Sequence, residues 1–156
     1  MNDGKTLGNE ATPRIGSVLE TALYVADLDR SVAFYQRVLG LPLASEPIDR
    51  MCAFSLTANQ VLLLFSKGAS GQTQVTPYGT IPPHGGDGSL HVAFFIPSSD
   101  FELWQERLGR FGVDIESLVT WPEGGRSIYF RDPDNHAIEL KTSNWHGKEL
   151  HPQREL

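Results

Sequence analysis

A chain of 156 residues, 40% apolar and 21% charged, is the size of one ordinary globular domain or of two small modules sharing a core. A formal net charge of −6 with no basic cluster excludes nucleic acid as the main partner, because phosphate binding needs a basic face. The longest apolar runs, such as VLLLF at 61–65, are strand-length and far short of the ~20 residues of a membrane span, so no membrane partner is expected.

Residues 1–16, MNDGKTLGNEATPRIG, contain no apolar core segment and read as a flexible polar leader, not a secretory signal. A first module follows over 17–66. LETALYV at 19–25 is a strand in apolar company. Asp27 or Asp29 then caps a helix with Val32, Phe34, Tyr35, Val38 and Leu39 at helical spacing, stopped at Gly40. Strands at 51–56 and 60–65 flank the turn Thr57-Ala58-Asn59. Cys52, the only cysteine, sits in the apolar run MCAF and reads as packing; it allows no intrachain disulfide and fits a reducing, cytoplasmic setting.

Residues 67–89 are rich in Gly, Pro, Ser and Thr and read as a linker or lid loop. Within it, His84 in PPHGG is placed to close over a site as an acid or base near neutral pH. A second module covers 90–142. LHVAFFI at 90–96 repeats the first strand. Ser98, Ser99 or Asp100 caps a helix bearing Phe101, Leu103, Trp104, Leu108 and Phe111, stopped at Gly112. Strands at 127–131 and 136–141 flank Asp132-Pro133-Asp134-Asn135, where Pro presets φ and Asn tolerates the left-handed region. His136, beside this turn, reads as exposed. Residues 143–156 form a polar tail with Trp145 as a packing anchor. The order strand, helix, strand pair thus occurs twice, and each half is read as a βαβββ unit. It predicts an α+β fold of two tandem βαβββ modules forming a curved, partly open mixed sheet.

The repeat sorts the polar residues. Glu20 and His91 hold the same position in the first strands of their modules. Glu139 lies in the last strand of the second, and its counterpart in the first is Leu63. Taken alone, Glu139 between Ile138 and Leu140 reads equally well as the water-facing residue of a half-buried strand. If the modules join about a pseudo-twofold axis, equivalent positions converge. One His and two carboxylates then suit a divalent first-row ion (Mn, Fe, Co, Ni or Zn) with positions left open for water or substrate. Period-two counting puts Tyr24 and Phe95 on the same face, with Ser127 and Tyr129 on the neighbouring strand. Trp121 reads as pocket wall or core. Arg126, after Gly124-Gly125, reads as a bidentate clamp for an anionic substrate or as a solvated charge.

The stretches ETALYVADLDRSVAFYQRVLGLPL, HVAFFIPSSDFELW and YFRDPDNHAIEL resemble the vicinal oxygen chelate superfamily, which includes glyoxalase I, fosfomycin-resistance proteins, extradiol dioxygenases and bleomycin-resistance proteins. The resemblance runs from about residue 18 to about residue 142. It implies a metal held by Glu20, His91 and Glu139, and a substrate site that includes Ser127 and Tyr129, as in the fosfomycin-resistance branch. It also implies a homodimer, which the exposed edges of two small sheets independently suggest. The chain departs from the pattern at two places. Glu20 stands where fosfomycin-resistance proteins and dioxygenases usually carry His, and Leu63 stands where glyoxalase I has a further ligand. The expected function is a divalent-metal enzyme acting on a small oxygen-chelating substrate by lyase, isomerase, or epoxide or thiol-transfer chemistry, with Glu139 or Glu20 as base. The alternatives are a drug-sequestering protein of the bleomycin-resistance type and a ring-cleaving dioxygenase.

Overall fold

The computed structural model describes residues 13–143; Trp145, His146 and His151 lie outside the described residues, as do residues 1–12 of the leader and most of the tail. The chain order is β1 (Glu20–Val25), α1 (Leu28–Arg37), β2 (Met51–Thr57), β3 (Gln60–Ser66), β4 (Gln74–Thr76), β5 (Gly79–Ile81), β6 (His91–Phe95), α2 (Phe101–Arg110), β7 (Ile115–Thr120), β8 (Arg126–Arg131) and β9 (Ala137–Lys141). The first sheet runs β1-β3-β2 and the second β6-β9-β8-β7. In each, the opening strand pairs parallel with the last strand of its module: Ala22 opposes Leu63, and Ala93 opposes Glu139. The equivalence of Leu63 and Glu139 is therefore a matter of register as well as of order.

Local chemistry explains the elements. The Asp27 side chain accepts the Arg30 N–H at 3.0 Å and caps α1. A 3-10 turn, Ser98–Asp100, leads into α2, which has no side-chain cap. Gly40 and Gly112 leave the two helices with φ of +71° and +68°, the left-handed stop that glycine permits. Asn135 takes φ of +66° in the turn between β8 and β9.

Two features depart from a simple doubled βαβββ. In the first module the strand expected between helix and hairpin is reduced to a short pairing against β2, with Leu43 bridging Phe54 and Ala44 N–H donating to Ala53 at 2.8 Å. Pro42 and Pro47 flank it and lack the N–H groups that would extend a ladder. The 67–89 stretch, read as linker or lid, contains the two-stranded hairpin β4–β5.

One core serves both modules. Leu23, Val25, Phe54, Leu62 and Leu64 of the first pack in the same cluster as Ile128, Phe130, Ile138 and Leu140 of the second, with Tyr35 and Leu108 from the helices. Because strand side chains alternate, the faces bearing Glu20 and Glu139 both turn away from this shared core. The contact between modules is also polar. Asp132 accepts Tyr35 Oη at 2.9 Å, and Asp134 accepts Ala26 N–H at 2.7 Å and Ser31 Oγ at 3.0 Å. Arg107 Nε donates to the Val38 carbonyl at 2.6 Å.

Candidate metal and substrate site

On the outward face of the second sheet, His91, Glu139, Ser127, Tyr129 and Lys141 fall on one side by alternation and register. Glu139 is buried, and its Oε2 lies 3.4 Å from His91 Nε2. His91 Nδ1 is 3.0 Å from the Ala137 carbonyl. That carbonyl can only accept, so Nδ1 carries a proton, and in the neutral ring Nε2 is then the nitrogen with the lone pair. Glu139 Oε1 accepts Ser127 Oγ at 2.6 Å, and Ser127 Oγ accepts Trp121 Nε1–H at 2.7 Å. The Tyr129 ring stacks beside His91, with centroids 6.3 Å apart. Burial, then the hydrogen bond and negative charge of Glu139, push the Tyr129 phenol up, so it keeps its proton at neutral pH. Lys141 Nζ stands 4.5 Å from the centre of the Trp121 ring, a cation on the same face that the sequence reading did not single out.

Of the other expected site residues, only Phe95 shares this face. Glu20 is exposed at the free edge of β1, and among the described residues no three His, Cys, Asp or Glu side chains gather to hold a metal ion. One chain therefore offers two of the three expected ligands, an imidazole nitrogen and a buried carboxylate oxygen facing each other. Those two fit a divalent ion in chemistry and leave its remaining positions to other donors. Arg126 is on the opposite face from Ser127, as alternation requires. Its guanidinium pairs with Glu102 of α2 at 2.5 Å and lies 3.9 Å over the Phe101 ring, so it is not part of this cluster. Phe95 stands two alternations beyond His91 on the same face, opposite Lys141 in register, and is 68% exposed at the edge of β6. Tyr24 is buried on the first module, where its hydroxyl meets His84 Nδ1 at 2.8 Å; the His84 ring also packs edge-on against Phe65. His84 and the loop thus close over the first module's outward face.

His136 corrects an expectation. It is fully buried. Its Nδ1 accepts the Leu90 N–H at 3.0 Å, so Nε2 carries the proton and donates to the Tyr24 carbonyl at 3.0 Å. It ties the residue before His91 to the first strand of the other module.

Residues 15–140 match the family model described as Glyoxalase/Bleomycin resistance protein/Dioxygenase superfamily. The chain belongs to this superfamily. It is 31% identical over 121 residues to the metallothiol transferase FosB of Bacillus licheniformis, a match covering 77% of this chain and 71% of that protein. A 53-residue stretch is 49% identical to the fosfomycin resistance protein FosX of Mesorhizobium japonicum, covering 33% of this chain and only 38% of the relative. Among solved structures, a lactoylglutathione lyase from Agrobacterium tumefaciens superposes with a TM-score of 0.74 at 32% identity, covering 83% of this chain and 95% of that one. With transferase and lyase relatives, the chain is a glyoxalase-like metalloenzyme whose cofactor is a divalent metal ion. Among the described residues no helix is long and apolar enough to cross a membrane.

Proposed function

We propose that the protein would bind its divalent ion through His91 Nε2 and Glu139 Oε2 and acts on a small, oxygen-chelating, anionic epoxide of the fosfomycin type: a thiol or water bonds to one ring carbon as that carbon's C–O bond breaks, and the freed ring oxygen takes up the nucleophile's proton. The observation that carries this reading is the buried Glu139 carboxylate facing His91 Nε2 at 3.4 Å. A buried carboxylate is costly unless it is paired or ligates a metal. When bound, the ion supplies Lewis-acid stabilisation of negative charge developing on a substrate oxygen. The chain supplies the rest. The Tyr129 phenol, hydrogen-bonded to Glu139 and stacked beside His91, lines the same face. Lys141 brings positive charge for an anionic substrate, and the Trp121 and Tyr129 rings present aromatic surface beside it.

The third protein ligand in this proposal is Glu20 of a second copy. β1 and β6 are both open edges, and the faces that bear Glu20 and His91 point away from the one core they share. A homodimer that sets β1 of one chain beside β6 of another brings the two faces together. The proposed setting is the cytoplasm, in keeping with a single buried thiol.

The test is elemental analysis and sedimentation of the purified protein, with turnover of fosfomycin in the presence of Mn²⁺ and either a thiol or water as nucleophile. One divalent ion per chain in a dimer, lost in both Glu139→Ala and Glu20→Ala, is the expected result. A monomer that binds metal unchanged in Glu20→Ala removes the shared site. A metal-free protein that binds the drug without turning it over places the chain with the sequestering members of the superfamily.

A further inference from the structure

We propose that Trp121 and Ser127 form a directional hydrogen-bond relay that positions Glu139 so that it offers one oxygen, Oε2, beside His91. The inference rests on the metal-site reading above and adds two positioning residues to it. Ser127 lies within the stretch where the resemblance implied a substrate contact, but it is fully buried, which suits a support under Glu139 better than a surface for substrate.

The direction of the relay follows from donor chemistry. An indole N–H can only donate, and an ionised carboxylate can only accept. Trp121 Nε1 is 2.7 Å from Ser127 Oγ, so Ser127 accepts there. Its single hydroxyl proton is then committed to Glu139 Oε1 at 2.6 Å. Reversing either bond would set donor against donor or acceptor against acceptor. Oε1 is held by Ser127, and Oε2 faces His91 Nε2 at 3.4 Å, with the Tyr129 phenol as the carboxylate's other hydrogen-bonding neighbour.

The backbone is shaped to bring the indole back over Ser127. Trp121 N–H donates to the Gly125 carbonyl at 3.0 Å, and Gly124 N–H to the Trp121 carbonyl at 3.0 Å. This tight turn puts Gly124 and Gly125 at φ of +97° and +87°, values that side-chain-bearing residues rarely adopt. Lys141 over the indole face holds the ring from the other side. Partners that orient a ligand in this way typically change metal affinity about 10–100-fold when removed.

The test measures Mn²⁺ binding to the full-length protein by titration calorimetry for the parent, Ser127→Ala, Trp121→Phe, the double variant and His91→Ala. Ser127→Ala is expected to weaken Mn²⁺ about 10–100-fold. Trp121→Phe keeps an aromatic ring and removes the N–H together with the five-membered ring, and a smaller loss in the same direction is expected. The double variant should bind no more weakly than Ser127→Ala alone, since Trp121 acts through Ser127. Multiplying losses, or unchanged binding in Ser127→Ala, would overturn the relay. If Ser127→Ala does not fold, Ser127→Cys takes its place in the same comparison. A second readout is independent of metal. The Trp121 indole N–H resonance, assigned from its absence in Trp121→Phe, should exchange slowly with solvent and move upfield in Ser127→Ala. A fast-exchanging indole proton, insensitive to Ser127, also overturns the proposal. Parent protein that binds no Mn²⁺, or binds it equally in His91→Ala, defeats the metal-site reading instead, and the indole signal then decides the relay alone.

Discussion

The two modules place the same scaffold under opposite chemistry. On the outward face of the first sheet, Tyr24, Ala53, Leu63 and Phe65 surround the axis of the β1–β3 pair, and Glu20 is the sole acidic group among these strand positions, at the rim. At the matching places the second sheet carries Phe95, Tyr129, Glu139, Lys141 and, for Glu20, His91. The covers differ as well. The loop with His84 and Gly86 lies on the first face, so close that a Cβ on Gly86 would stand 2.8 Å from the Tyr24 ring. The second face instead has Trp121 folded back onto Ser127. Duplication supplies two equivalent cups, and a handful of substitutions makes one an apolar wall and the other a polar half-site.

Glu139→Leu copies the first module's residue into the second and should give the largest effect. Mn²⁺ binding is expected to fall at least about 100-fold, since a primary ligand is gone. The melting temperature should move much less, because the added apolar contact offsets the acceptor lost to Ser127. Calorimetric titration and a thermal melt of the same sample check both halves; retained binding would mean that the difference between the cups is not a metal site.

A second pair of equivalent residues opens the last strand of each module. His136 is fully buried between the Leu90 N–H and the Tyr24 carbonyl, whereas its counterpart Gln60 reaches only the exposed Val18 carbonyl at 3.3 Å. His136→Ala should cost about 2–4 kcal/mol, from two buried backbone groups left unpaired and a cavity. Gln60→Ala should stay within about 0.5 kcal/mol. Urea unfolding of both variants measures the contrast, and equal costs would remove it.

The next effect is smaller and crosses between modules. Tyr35 is fully buried, and burial, then the Asp132 charge and hydrogen bond, push its phenol well above its usual value of 10.0. Tyr35→Phe leaves Asp132 Oδ2 without that donor, while Oδ1 keeps the N–H groups of Asp134 and His136. A loss of about 1.5–3 kcal/mol is expected in urea unfolding, as for a hydrogen bond to a charged group.

The smallest effect is at the surface of the second module. The hydrogen bond from Arg126 holds the exposed Glu102 carboxyl below its usual 4.5. A depressed carboxyl stabilises the fold above pH 4.5 and stops doing so as pH falls through its lowered folded value. Glu102→Gln should therefore melt slightly below the parent at pH 7, and the gap should close in more acidic buffer. A gap that widens on acidification would contradict the sign.

Much of this was legible because the repeat is written twice in patterns that local chemistry enforces. Alternating strands, a capped helix and Gly40 or Gly112 at its end recur in the same order, and they fix which residues are equivalent before any contact is known. That His91 and Glu139 share one site was expected from joining the two modules and from the family resemblance, and their side chains stand 3.4 Å apart. Arg126 was legible in part, since the alternation that puts Ser127 on the site face puts Arg126 behind it. His136 was not. It sits among turn residues that look solvated, and its partners lie 46 and 112 residues away in sequence. Glu20 shows the remaining gap. Its place within a module can be read from order alone, but its distance from His91 depends on how the two modules face each other, which no single strand encodes. The β4–β5 hairpin escaped notice because three-residue strands are too short to show a period.

The excursion between Ser70 and His84 has a use for protein engineering. Its base is clasped twice, by His84 N–H to the Ser70 carbonyl at 2.9 Å and Ser70 Oγ to the His84 carbonyl at 3.0 Å. Its tip carries Tyr78, 98% exposed. Extra sequence spliced in at the tip leaves that clasp in place, and doubling the length of such a loop costs only about 0.6 kcal/mol of closure entropy. Tyr78 is accordingly the address for an affinity tag, a fluorophore or a protease site.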